Sequence, residues 1–133
     1  LLRQIWSRHK VAMGLGTGNL EPGARIKLKR GKLNRFFNFG GFGSDAEDRS
    51  ALLWTGIQRG AKRLRLPLDR CTVTIIGDTP RDVSAALELG YRCVGVATGP
   101  HSREDLLRAG ATAALEDFTA PEALTVVLGG QAA

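Results

Sequence analysis

The sequence predicts an α/β fold built on a doubly wound, mostly parallel sheet, and three observations carry that prediction. Short apolar or glycine-rich runs alternate with stretches of helical periodicity along the whole chain. The two sharpest runs, VAMGLGTGN (residues 11–19) and VTIIGDTPRD (residues 73–82), each end in a turn followed at once by a helix start, as when a strand feeds a crossover helix. The chain has 133 residues and 43% hydrophobic content, which suits the core of a single domain.

The elements follow in order. LLRQIWSRHK gives a helix tail over 1–9, and residues 11–16 form a strand. A helix over 21–31 follows, with Asn19 favoured as its cap. Phe36, Phe37, Phe39 and Phe42 fit a short buried strand over 36–39 and the glycine-rich loop after it. A long helix runs from about 45 to 64, where Ser44 and Glu47 have the spacing of a capping box. Val73, Ile75 and Ile76 read as a strand buried on both faces, and Gly77 lets the chain turn. Thr79 caps the next helix, Pro80 suits its first position, Ala85, Ala86 and Leu89 give it an apolar face, and Gly90 stops it. A strand over 92–97 leads to a helix over 102–109, with Ser102 and Asp105 at its capped start and Gly110 at its end. The tail holds a short strand over 112–115 and a helix over 121–128, with 129–133 frayed.

Chemistry concentrates at two turns. Asp78 stands at the carboxyl end of its strand and Asp82 in the first turn of the helix, so both acids face one crevice. A hard cation such as Mg²⁺ takes one or two carboxylates and fills its shell with water and substrate phosphate, so the pair could hold one. Plain helix capping accounts for the same two residues. The other turn presents one hydroxyl, that of Thr17.

TGN after one strand and GDTPRD after another resemble motifs II and IV of the haloacid dehalogenase (HAD) superfamily, in particular its phosphoglycolate-phosphatase-like members. The resemblance covers nearly the whole chain. It implies a Rossmann-like sheet and hydrolysis of a small-molecule phosphate monoester through an aspartyl-phosphate with Mg²⁺. Thr17 would bind phosphate with Gly18 and Asn19 beside it, and Asp78 would ligate the metal. Asp82 would hold the metal directly or through water. Lys27, on the helix leaving the TGN turn, is the candidate for the family's phosphate-binding lysine, with Arg49 as its competitor. The family's nucleophile turn, DxDxT/V, is absent; Asp45 and Asp48 lack the apolar strand that would precede it. The chain also begins at Leu1 without methionine. The expectation is therefore the carboxyl-terminal part of a longer phosphatase, inactive alone. Residues 1–10 would be a residual cap or linker helix, 11–128 a partial core and 129–133 a disordered tail. The first central strand, which in the resembled fold separates the strands carrying Thr17 and Asp78, would be missing, leaving unpaired edges.

The net charge of +6 includes six cations in eleven residues, Arg25 to Arg35, and a second group at Arg59, Lys62, Arg63 and Arg65. With Leu or Ile between the charges and little aromatic interleaving, these read as solvated helix faces, which argues against nucleic acid. No run approaches the roughly 18 apolar residues of a membrane span, and the first residues are too charged for a signal peptide. Those features point to the cytoplasm. Cys71 and Cys93 read as buried thiols, His9 and His101 as surface residues, and Trp6 and Trp54 as packing residues. GxGxG at Gly14, Gly16 and Gly18 lacks the acid about twenty residues on that a dinucleotide site needs. A noncatalytic phosphate-binding or interaction module is the alternative function, and a basic nucleic-acid-binding domain a more distant one. Substrate identity and oligomeric state are not encoded in any motif.

Overall fold

A computed structural model describes residues 1–8 and 10–129. His9 and positions 130–133 of the expected tail lie outside the described residues. The chain divides into two compact units, Leu2–Cys71 and the part from Thr72 onward together with Leu1.

The amino-terminal unit contains α1 (Leu2–Trp6), β1 (Gly14–Gly16), α2 (Glu21–Arg30), β2 (Phe39–Gly41) and α3 (Arg49–Leu64). β1 and β2 pair in parallel, with Gly14 opposite Phe39 and Gly16 opposite Gly41. The first strand is shorter than residues 11–16, and the second begins at 39 rather than 36. Asn34–Phe36 is instead a 3₁₀ turn, held where Arg25 donates to Asn34 Oδ1 at 2.8 Å and to the Phe37 carbonyl. With 34–36 wound up, β2 offers only three residues to pair, and residues 11–13 are left outside the ladder. Phe36 and Phe42 are buried, whereas Phe37 and Phe39 are half-buried.

α3 crosses β2 at the closest backbone approach in this unit. A Cβ on Gly41 would run into the Leu52 carbonyl, and one on Gly56 would lie 2.8 Å from the Gly41 nitrogen. Only glycine permits that contact. Leu52, 1% exposed, seals it. The long helix starts at Arg49, and its cap is not the Ser44/Glu47 box: Asp48 accepts from the Ala51 amide at 3.1 Å. Asp45 is diverted to Arg59 and the Phe42 amide, so the chain before Asp48 stays a loop. Asn19 does not cap α2 either. Leu20 occupies that position without a side-chain bond, and Glu21 and Pro22 open the helix.

The carboxyl-terminal unit contains β3 (Thr74–Gly77), α4 (Pro80–Leu89), β4 (Arg92–Val96), α5 (Arg103–Arg108), β5 (Ala113–Leu115) and α6 (Ala123–Val127). Its strands are all parallel in the order β3-β4-β5. Here the caps match the sequence. Thr79 and Asp82 form a capping box, Ser102 and Asp105 form another, and Gly90 closes α4 at φ +82°. Val83, Ala85 and Ala86 bury the inner face of α4. Leu106 and Leu115 seat the helices on the sheet, each burial contributing roughly 1.5–3 kcal/mol. Arg92 ties α6 down by donating to the Val126 carbonyl at 3.1 Å and to Thr74 Oγ1 at 2.8 Å. The last helix is shorter than residues 121–128, and Gly129 lies in a turn bonded to the Val126 carbonyl.

β3 also departs from expectation, in its burial. It is not buried on both faces, because Ile76 is 40% exposed. Among the described residues the strand pairs with β4 alone, so it is an edge. β1 likewise pairs, among the described residues, on one side only, with β2.

Candidate active site

In the amino-terminal unit the TGN turn sits at the carboxyl ends of β1 and β2. The Thr17 amide donates to the Gly41 carbonyl at 3.1 Å, extending the ladder by one step. Thr17 Oγ1 accepts from the Asn19 amide at 3.1 Å, which shapes the turn and commits a lone pair of the hydroxyl while its proton can still be donated. The Gly43 amide bonds the Asn19 carbonyl at 2.9 Å, and a Cβ on Gly43 would strike the Gly18 carbonyl, so the turn lies directly against the loop after β2. Thr17 is half-buried, and Gly18 and Asn19 are exposed.

The two basic candidates are placed differently. α3 runs antiparallel to β2, since Leu52 and Gly56 meet Gly41 at the strand's carboxyl end while Gly60 meets Phe39 at its start. Arg49 opens α3 and so stands at the same end as Thr17. It is half-buried. Lys27 is exposed in the last turn of α2, six residues past its start, or roughly 9 Å along the axis. Its side chain would have to fold back over most of that length.

The loop between these elements is pinned by a pair that the sequence reading missed. Arg59 makes a two-pronged contact with Asp45, 2.8 Å on each arm, and donates to the Gly40 carbonyl at 2.7 Å. The Arg59 hydrogen bond, with help from the Phe42 amide, holds the Asp45 carboxyl below its ordinary pKa; the same bond raises that of Arg59. No local spacing announces a pair fourteen residues apart.

In the carboxyl-terminal unit, Asp78 and Asp82 come together at the end of β3. Asp82 Oδ2 accepts from the Asp78 amide at 3.1 Å and the Thr79 amide at 3.2 Å, and Thr79 Oγ1 accepts from the Asp82 amide at 3.3 Å. The capping role is therefore present, and it folds the second carboxylate back onto the backbone of the first. Gly99, after β4, walls the other side: a Cβ there would lie 2.7 Å from Asp78 Oδ2. His101 is partly exposed, its Nδ1 4.0 Å from Asp105 Oδ2.

A family model described as HAD-hydrolase-like matches residues 55–122, just over half of the chain. The chain belongs to that family. No curated protein matches it. Among solved structures it is similar to a haloacid dehalogenase-like hydrolase from Streptococcus pneumoniae, with a TM-score of 0.72 at 21% identity, covering 98% of this chain and 56% of that one. It is also similar to a HAD family hydrolase from Deinococcus radiodurans R1 with bound phosphate and sodium, with a TM-score of 0.70 at 18% identity, covering 99% of this chain and 59% of that one. Both likenesses bear out the α/β fold class. The HAD-like chain thus spans little more than half the length of either solved relative. Among the described residues no helix is long and apolar enough to cross a membrane.

Proposed function

We propose that this chain supplies the phosphate- and magnesium-binding parts of a phosphatase acting on a small-molecule phosphate monoester, with the attacking aspartate contributed by chain beyond it. The observation that carries the reading lies inside the family-matched span: Asp78 leaves β3 with Asp82 folded back against its amide and Gly99 beside its carboxylate. In this reading Asp78 ligates the ion and Asp82 holds it through water while keeping the turn closed. The donor set fits. Two carboxylates suit a hard cation that draws most of its shell from water and substrate phosphate. Magnesium there would neutralise charge on the transferring phosphoryl group.

The remaining roles fall to the amino-terminal unit. Thr17 donates a hydrogen bond from its hydroxyl to a phosphoryl oxygen, the Gly18 amide adds a second donor, and Asn19 borders the substrate. Arg49 is the better choice than Lys27 for the cationic partner, because it stands at the strand end that carries Thr17. The nucleophilic aspartate is left to the rest of the complete protein. Without that aspartate the covalent step has no acceptor, so this chain alone is inactive.

Hydrolysis of p-nitrophenyl phosphate with Mg²⁺ tests the reading, for this chain and for one extended upstream. The extended chain should turn over and this one should not; Asp78→Asn in the extended chain should cost about 100-fold or more in kcat, on the scale of losing one preorganised charge-stabilising group. Arg49→Ala should cost more than Lys27→Ala. Turnover by this chain alone that Asp78→Asn abolishes would overturn the missing nucleophile in favour of a complete site, and an inactive extended chain would favour a noncatalytic phosphate-binding module.

A further inference from the structure

The net charge of +6 conceals a division between the two units. The amino-terminal unit carries fifteen Lys and Arg against five Asp and Glu, a net +10, and the carboxyl-terminal unit carries four against eight, a net −4. Within the basic unit, aromatic residues distant in sequence converge at the end of the sheet opposite the TGN turn. A cleft of about 180 Å³ there is walled by Trp6, Met13, Phe36, Phe39 and Arg63. Trp6 is 55% exposed and meets the Phe36 ring edge to face, with centroids 6.1 Å apart. The Arg35 guanidinium lies 4.9 Å above the other aromatic partner, Phe36. Trp6 is therefore not the enclosed packing residue that the sequence suggests. Its half-exposed indole helps line a cleft that Arg63 borders with a cation.

We propose that this pole binds single-stranded nucleic acid, with one base against Trp6 and the flanking phosphates on the surrounding cations. Size, chemistry and charge favour that occupant. The cleft lies below the roughly 300–1,000 Å³ of sites for whole small molecules, which suits one planar ring. Indole and guanidinium are the groups on which bases stack without regard to sequence. Arg8 and Lys10 lie in sequence between the cleft residues Trp6 and Val11, and Lys62 and Arg65 lie near Arg63 in sequence; all four are exposed. Lys29, Arg30 and Lys32 lead into the 3₁₀ turn that carries Phe36 and are exposed as well. A duplex offers no free base face to Trp6, so it should bind less well than a single strand.

Anisotropy of a labelled twelve-residue oligo-dT, titrated with this chain in graded salt, tests the proposal. Binding should weaken steeply as salt rises, quench Trp6 fluorescence in a Trp54→Phe background, and exceed binding to the matching duplex. Trp6→Phe, which retains a ring against Phe36, should weaken binding several-fold. Arg63→Glu, an exposed change that leaves the core intact, should weaken it about tenfold or more. Asp78→Asn should leave binding unchanged, which separates this site from the proposed catalytic one. The proposal is overturned if inorganic polyphosphate of equal charge displaces the oligomer equally well and Trp6 is not quenched, or if phosphatidylserine vesicles bind while oligo-dT does not.

Discussion

The two units reach stability by different routes. Among the described residues, the carboxyl-terminal unit places thirteen apolar residues in its core and the amino-terminal unit six, although the latter is the longer of the two. The former closes two helices with reciprocal capping boxes and stacks three strands. The latter relies on glycine contact between β2 and α3 and on Arg25 and Arg59 reaching back to backbone carbonyls. A region rich in apolar side chains can be held by burial, whereas one rich in cations must use its charged side chains as struts. The same contrast follows chemistry, since the acidic unit holds the proposed metal ligands and the basic one the proposed phosphate donors.

The largest expected effect tests whether the two cores are separate. Leu106→Ala removes a fully buried side chain from the carboxyl-terminal unit and should cost ~2–5 kcal/mol. Hydrogen exchange should then show lost amide protection in residues 72–129 while β1 and α3 keep theirs; simultaneous loss in both would mean the chain unfolds as one body. Next comes Gly56→Ala, whose methyl would meet the Gly41 nitrogen at 2.8 Å. Overpacking of this kind costs ~1–3 kcal/mol, so the urea midpoint of the amino-terminal unit should fall. An unchanged midpoint would show that α3 can shift away from β2.

Caps should produce a smaller effect. Thr79→Ala and Asp48→Ala each remove a side-chain bond to a helix amide and should cost about 1 kcal/mol. Ser44→Ala, outside the actual cap, should stay within ~0.5 kcal/mol. A larger loss at Ser44 than at Asp48 would reverse the placement of the cap. The smallest effect is that of pH on the Asp45–Arg59 strut. Because the Asp45 carboxyl has a lowered pKa in the folded chain, its contribution is present above the ordinary aspartate range and is lost as pH falls through the lowered value. Asp45→Asn should flatten the acid limb of a stability profile for the amino-terminal unit, and an unaltered limb would remove the strut from the account.

Legibility followed the same division. Thr79, Gly90, Ser102 and Asp105 were readable because a cap is a local pattern of three or four residues. In the amino-terminal unit, partners far apart in sequence overrode local patterns. Arg59 took Asp45 and left Ser44 and Glu47 without a helix to open; Arg25 wound residues 34–36 into a turn and shortened both strands. Of the candidate site, the TGN turn and the paired aspartates were legible from their strand-turn-helix setting. The proposed preference for Arg49 over Lys27 needed the direction of α3, and the exposure of Ile76 needed the strand order.

The buried thiol of Cys93, in the middle strand of its sheet, has its pKa pushed up to about 11 by burial and secondarily by the Asp82 charge. At neutral pH it is scarcely ionised and sheltered from reagents, while Cys71 is partly accessible. The chain thus contains its own stopwatch. Under an alkylating agent Cys71 marks time zero, and the lag before Cys93 is labelled measures how often the three-stranded layer breathes open.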